Sequence, residues 1–300
     1  MYDIGNPITT FCIVGYDPQG PSWGIAIASR FLAVGGQTCW GAPGAGVIAV
    51  LAHLNTNHGR DGIPLLKNGL DAETVMGQLL AQDPQRNLRQ TAIVDTSGGV
   101  ATHTGRDCTP WAGGVSGRYC AAQGNMLLNG AGCEAMVKHF VSSSGSLARR
   151  LVDALTLGDE KGGDFRGRQA AALYVICPPF AEPSASVMDP IINLRVDDHA
   201  NPFMELERLL DLWELMYLPA TPEEQWPLEC SVIRRYQQVL AKLNYYGGQP
   251  HGILDDATSE GLSKLSVMQN LRRRLVSPKA WIDGRLLEHL ESKLGLSPNE

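Results

Sequence analysis

The sequence predicts a layered α+β body followed by a small all-α domain. Three observations carry this. Apolar runs of strand length fill the first half and end at Gly, Pro, Asn or Asp. Strands and helices come in blocks rather than in strict βαβ alternation, which favours antiparallel sheets covered by helices. From Ser231 onward the apolar spacing is helical almost throughout. With 300 residues, 44% of them hydrophobic and 19% charged, the chain can bury a full core.

The first block reads as three strands, TTFCIVGYD, SWGIAIASRFLAVGG and AGVIAVLAHL, apolar enough for burial on both faces. Two helical patterns follow, with Asp71 as an N-cap and Glu73 in its first turn. The apolar positions of that capped helix are Val75, Met76, Leu79 and Leu80, and Pro84 marks its exit. RQTAIVDTSGGVATHTG is a strand pair turning at Ser97, Gly98 and Gly99, and GRYCAAQGNML is a further strand. Helices are predicted over 132–140 and 146–157. The strand pair QAAALYVIC and IINLRVDD comes next, then an amphipathic helix over 202–217. PATPEEQWP reads as a linker. The expected domains are 1–220, with 1–9 a candidate leader, a Pro-rich linker over 221–230, and a helical domain over 231–300.

Net charge is −6, and the excess is confined to the body: residues 1–218 hold 15 basic and 21 acidic side chains, residues 219–300 ten of each. A nucleic-acid footprint is therefore not expected. No signal-peptide pattern opens the chain and no run approaches the roughly 20 apolar residues of a membrane span, so the expected location is the cytoplasm, without a membrane partner. The seven cysteines form no CxxC pair and no zinc spacing, and their odd number suits reduced thiols. No GxGxxG or P-loop stands in strand-to-helix context. Neither metal nor cofactor is expected, and the partners foreseen are a small-molecule amide and a second copy of the chain.

TTFCIVGYD, IAIASRFLAVG, RQTAIVDTSGGVATHTG, AAQGNML, GGDFRGRQAAAL and LRVDDHANP, in this order, resemble the bacterial family known as domain of unknown function 1028, grouped with the N-terminal nucleophile (Ntn) hydrolases. The resemblance covers about the first 220 residues and implies a four-layer αββα sandwich. VIRRYQQVLAKLNYYGGQPHGILDDATSEGLSKL is similar to the three-helix peptidoglycan-binding-like module. Gln237, Leu240, Leu243, Tyr245, Tyr246, Gly248, Gly252, Thr258 and Leu262 carry that match. After Leu265 the expected Phe-Gln gives way to SVMQNLRRR.

In the Ntn mechanism the side chain of the first mature residue attacks an amide carbonyl and its own α-amine takes the proton. The resemblance places Thr10 in that role, with nine residues ahead of it that must be removed to free the amine. Otherwise Thr10 is a β-branched strand residue. Thr9 and Cys12 are weaker candidates, and a buried thiol is the plainer reading of Cys12. Asn125, at the end of AAQGN, can donate to a developing oxyanion or cap its own turn. Ser29 and Arg30 end the second strand. Arg30 could steady the amine or bind a carboxylate, or pair with Asp95 or Asp17.

In GGDFRGRQ, Arg166 and Arg168 can present a fork to an acidic ligand, with Asp164 holding them and Gln169 alongside, or they can brace the sheet end. Asp197, Asp198 and His199 could not all chelate one ion from a strand, and His53 and His58 lie i, i+5 in a loop, which fails the zinc-helix spacing. No GxSxG elbow is present. Arg272, Arg273 and Arg274 form a basic run expected at the surface. Trp213, Met216 and Tyr217 could form an apolar contact or pack on the C-terminal unit.

The function expected is an Ntn-type hydrolase of a small linear or cyclic amide, with Thr10 and Asn125 catalytic and Ser29, Arg30, Asp164, Arg166, Arg168 and Gln169 on the substrate. The alternative is a ligand-binding or assembly protein on the same scaffold. A third arrangement moves the chemistry to Asp164, Arg168 and His199.

Overall fold

The computed structural model describes residues 10–178, 191–271, 274 and 281–297. In chain order the elements of the body are β1 (Thr10–Asp17), β2 (Ser22–Ser29), α1 (Gly35–Thr38), β3 (Cys39–Ala42), β4 (Gly46–Ala52), α2 (Thr56–Lys67), α3 (Ala72–Gln82), β5 (Arg89–Val94), β6 (Val100–Thr104), β7 (Gly113–Gly117), β8 (Cys120–Gly124), α4 (Ala131–Ser142), α5 (Leu147–Gly162), β9 (Ala170–Ile176) and β10 (Ile192–Val196). Helix α6 (Pro202–Tyr217) follows, and then β11 (Gln225–Trp226), α7 (Cys230–Lys242), α8 (Asp256–Met268), β12 (Ile282–Asp283) and α9 (Gly284–Leu294). Two compact units divide between Arg208 and Leu209, inside α6.

The body holds a six-stranded antiparallel sheet in the order β10-β9-β2-β1-β8-β7 and a four-stranded one in the order β3-β4-β5-β6. Strand alternation sorts the residues. On β1 and β2, Cys12, Val14, Ile25 and Ile27 face the four-stranded sheet and meet Val47, Ala49, Leu51, Ala92 and Val94 in one apolar cluster. The opposite face receives α4 and α5. A Cβ on Gly15 would come within 2.6 Å of the Phe140 ring, so only glycine lets that helix pair approach the sheet. On the far side of the four-stranded sheet, Ile48, Val50 and Ile93 pack against Leu66, Val75, Met76 and Leu79 of α2 and α3.

Asp71 caps α3, accepting from the Thr74 amide at 2.8 Å, as its position before a helical apolar pattern predicts. The turn after β5 forms around Asp95, whose carboxylate accepts from the Ser97 and Gly99 amides. Three readings change. The helix ahead of the Asp71-capped one begins at Thr56, capped by Asn55, so His58 is helical and buried rather than in a loop. Cys39–Ala42 and Gly113–Gly117 are strands, each short and Gly-containing, and weak in β propensity without their sheet partners. The second strand ends at Ser29, with the following residues in bends and turns.

In the second unit, Val232, Tyr236, Val239, Leu240, Leu262, Leu265, Leu286, Leu287 and Leu290 make a separate core, against which Met216 packs. The Trp213 and Tyr217 rings meet at a tilt of 38°, with centroids 5.5 Å apart. Residues 222–224 form a 3-10 turn leading into β11, which pairs with β12. Gln237 is fully buried. Its amide donates to the Ile253 carbonyl and Thr258 Oγ1 and accepts from the Gly252 amide. Gly252 has φ +81 and sits against Cys230, where a side chain has no room. These motif residues therefore hold the helices together. Arg274 is buried, paired with Glu224 and with Asp283 at 3.2 Å, and not solvated as its basic neighbourhood suggests. Arg272 and Arg273 lie outside the described residues.

Candidate functional site

The apolar layer between the two sheets turns polar at the Thr10 end. Thr10 and Ser29 are register partners on β1 and β2 and are 0% and 3% exposed. By alternation both face the four-stranded sheet, like Cys12 and Ile27. Asn125, just past β8, donates its amide to the Thr10 carbonyl at 3.0 Å. Its side-chain Nδ2 donates to Gln90 Oε1 at 2.8 Å. Gln90 Nε2 in turn faces three acceptors, Thr104 Oγ1, Gly113 O and Gly124 O, which fixes the orientation of both amides. Gln123, with its amide turned to satisfy its neighbours, bridges to the Thr91 carbonyl and Ala92 amide of β5. In this saturated layer Asn125 Oδ1 is buried and finds no hydrogen-bond partner among the described residues. Asn125 is thus tied to the opposite sheet and does not close its own Asx turn.

The GGDFRGR segment lies on the other face of the same sheet end. Asp164, Asp159 and Arg168 line a narrow recess with Phe11, Ala28, Ser29 and Phe203. Phe11 and Ala28 belong to the helix-facing register of β1 and β2. Asp164 takes the Arg166 guanidinium at 2.6 and 3.0 Å and the Arg30 amide at 3.3 Å. Arg168 pairs with Asp159 at 2.6 Å and its carbonyl accepts from the Arg30 guanidinium. Burial pushes the Asp159 carboxyl up despite that pairing. Arg30 therefore joins this cluster and neither Asp95 nor Asp17. Both arginines of the segment are engaged by carboxylates of their own chain. Ser29 alone lines the recess while sharing a register with Thr10.

Gln169 donates to Asp198, and its carbonyl accepts from the His199 amide. Asp197 pairs with Arg195 and is not joined to them. Among the described residues no group of three or more His, Cys, Asp or Glu is placed to hold a metal ion. Cys12 sits in the apolar core, where burial above all raises its thiol well over the usual range and disfavours a thiolate. Thr9 lies outside the described residues.

A second polar cluster joins α2 to β5. His58 is 2% exposed, its Nδ1 3.0 Å from Thr91 Oγ1 and its Nε2 3.2 Å from Asp83 Oδ2. Arg89 and Asn55 both bond Asp83. Burial pushes the Asp83 carboxyl up, but those donors outweigh it and bring it down to about 2. Burial lowers His58 in spite of the carboxylate beside it. Gln90, Asp159 and Asp83 carry no motif that marks them in the sequence, whereas Gln123 stands beside Asn125 at the end of AAQGN. The available signal was a polar side chain inside an apolar run, as in RQTAIV and CAAQG.

The fold defines a mixed α/β body of antiparallel sheets and helices, with a C-terminal helical unit. No helix among the described residues is long and apolar enough to cross a membrane. Residues 10–206 match the model described as "Family of unknown function (DUF1028)", and the chain belongs to that family. Residues 217–290 match the model described as "Putative peptidoglycan binding domain". A crystallised protein from Silicibacter pomeroyi, assigned to the same DUF1028 model, is similar at 30% identity and a TM-score of 0.60, with 69% of this chain and 89% of that chain covered. No curated protein matches the chain.

Proposed function

We propose that the body is an Ntn-type amide hydrolase with a four-layer αββα architecture, in which Thr10 is the nucleophile once residues 1–9 are removed. The observation that carries the reading is the position of Thr10. It heads a central strand beside Asn125, whose Oδ1 is buried without a hydrogen-bond partner among the described residues. Such an acceptor suits an N–H or O–H that appears only after processing.

In processing, Thr10 Oγ attacks the Thr9 carbonyl, the C–N bond breaks, and an ester and a free Thr10 amine result. Water then hydrolyses the ester, releasing residues 1–9 as a carboxylate and restoring the hydroxyl. In turnover the hydroxyl attacks the substrate amide while the amine, with an ordinary pKa near 8, takes its proton and passes it to the leaving amine. Water cleaves the acyl-threonine. Asn125 Nδ2 has a second hydrogen beyond the one given to Gln90 and is assigned to the oxyanion. Removing one such donor costs about 10²–10³ in kcat. Asp164, Arg166, Arg168 and Arg30 brace the same sheet end from its opposite face, and Gln169 bonds Asp198.

A second reading, a non-catalytic binding scaffold, is favoured by one observation. Thr10 is fully buried, and the recess beside Ser29 leaves no room for a water-sized molecule between the described residues. Intact-mass measurement of the full chain, before and after exposure to a β-lactone that acylates N-terminal threonine, separates the two. Hydrolase chemistry predicts loss of the mass of residues 1–9 and one added acyl group, both absent in Thr10→Ala. A chain that keeps residues 1–9 and takes no label while hydrolysing amides rejects Thr10 as nucleophile. An unlabelled, unprocessed and inactive chain supports the scaffold.

A further inference from the structure

The far end of β1 carries a second polar cavity. Strand β1 runs from Thr10 to Asp17, so at roughly 3.4 Å per residue this cavity lies about 24 Å from Thr10 along the strand. Its volume is about 320 Å³, and its walls come from the β1–β2 turn, the β7–β8 turn, the α4–α5 loop and the first turn of α5. Asp17, Arg118, Tyr119, Ser143, Ser144 and Arg150 supply its polar groups.

Arg150 is held in place without a counter-charge. Its guanidinium lies 4.1 Å over the Phe140 ring and donates through Nη2 to the Phe140 carbonyl at 2.8 Å, while its Nε is buried without an acceptor. Arg118 lies 4.9 Å over the Tyr119 ring. Among the described residues neither arginine makes an ion pair, a state shared in this unit with Arg30 and Arg86, whereas Arg60, Arg89, Arg106, Arg166, Arg168, Arg195 and Arg208 are each paired. The turn that carries Arg118 is fixed. Tyr119 adopts φ +63, its carbonyl accepts from the Tyr16 amide at 2.8 Å, and its ring meets Tyr16 edge-on.

We propose that this cavity binds a small carboxylate. Two guanidiniums present donor-only groups suited to a bidentate oxyanion. Asp17, whose carboxylate accepts from the Gln19 amide, leaves one net positive charge in the walls, which matches a monoanion better than a phosphate dianion. The serine hydroxyls supply the remaining donors, and the volume suits a molecule of amino-acid size rather than a polymer.

Calorimetric titration of the full chain with sodium N-acetylglycinate, at constant ionic strength and with sodium chloride as control, tests this. Saturable binding is expected. Arg118→Gln, an exposed position whose change leaves folding intact, weakens it about tenfold, the loss of one charge-assisted contact, and Asp17→Asn tightens it about threefold. Arg150→Gln abolishes it, and thermal unfolding checks that this variant is folded. No saturation below about 50 mM, or an affinity unchanged in Arg118→Gln, overturns the site. Inorganic phosphate binding more tightly than N-acetylglycinate overturns the assignment to a carboxylate.

Discussion

The two ends of the six-stranded sheet treat arginine oppositely. At the Thr10 end, Arg166 and Arg168 lie against Asp164 and Asp159, and the recess that Arg168 and both carboxylates line has no room for a water-sized molecule. At the Asp17 end, Arg118 and Arg150 have no carboxylate partner among the described residues and border a cavity of about 320 Å³. A guanidinium satisfied by its own chain braces the fold, whereas one held in place without a counter-ion is available to a ligand. Glycine-flanked arginines in a motif therefore do not mark a binding site by themselves. What decides is which carboxylates the fold brings within reach.

Several substitutions sharpen this contrast. Asp164→Ala strips Arg166 and the Arg30 amide of a buried acceptor and should cost about 2–3 kcal/mol in urea unfolding. Arg150→Gln, at the other end, should cost only about 1 kcal/mol, because it removes one hydrogen bond and a ring contact but also an unsatisfied buried Nε. Equal losses at the two positions would dissolve the distinction. Asp159→Asn should cost still less, about 0.5–1 kcal/mol, since Arg168 is 44% exposed and reaches water.

The smallest effect is a pH slope from the α2–β5 cluster. His58 is lowered from an ordinary 6.5, so between that value and its folded one the unfolded chain binds more protons and stability falls as pH falls. Asp83, lowered from 3.8 to about 2, adds stability that is complete above 3.8 and is lost as the pH falls toward 2. His58→Gln should flatten the slope below pH 6.5 and leave the Asp83 limb in place. An unchanged slope in that variant would remove His58 as its source.

Much of the architecture was legible because it rests on local pattern. The Asp71 cap, the Ser97-Gly98-Gly99 turn and the span 202–217 follow from spacing and turn chemistry alone. Cys39–Ala42 and Gly113–Gly117 were not legible, because such short glycine-bearing strands owe their state to a neighbouring strand. The site was legible in part. Thr10, Ser29 and Asn125 do come together at one sheet end, whereas the GGDFRGR residues fall on the opposite face. Alternation along β1 puts Thr10 and Phe11 on different sides, and only the identity of the layer against each face tells which side is which. Arg274 makes the same point: it reads as surface charge in a basic run, yet it is buried between two carboxylates distant in sequence.

By itself, then, the sequence determined most of the helices and strands, the antiparallel sheets covered by helices, the helical character of the C-terminal segment, and the family resemblance. These depend on residues near one another in the chain. Tertiary structure alone decided which charges are paired, that Gln90 and Gln123 join Asn125 in one amide layer, and that two arginines with no ion pair among the described residues face a cavity at the far end of β1. Those outcomes depend on which side chains from distant segments come within about 3 Å of each other, a distance that no spacing along the chain encodes.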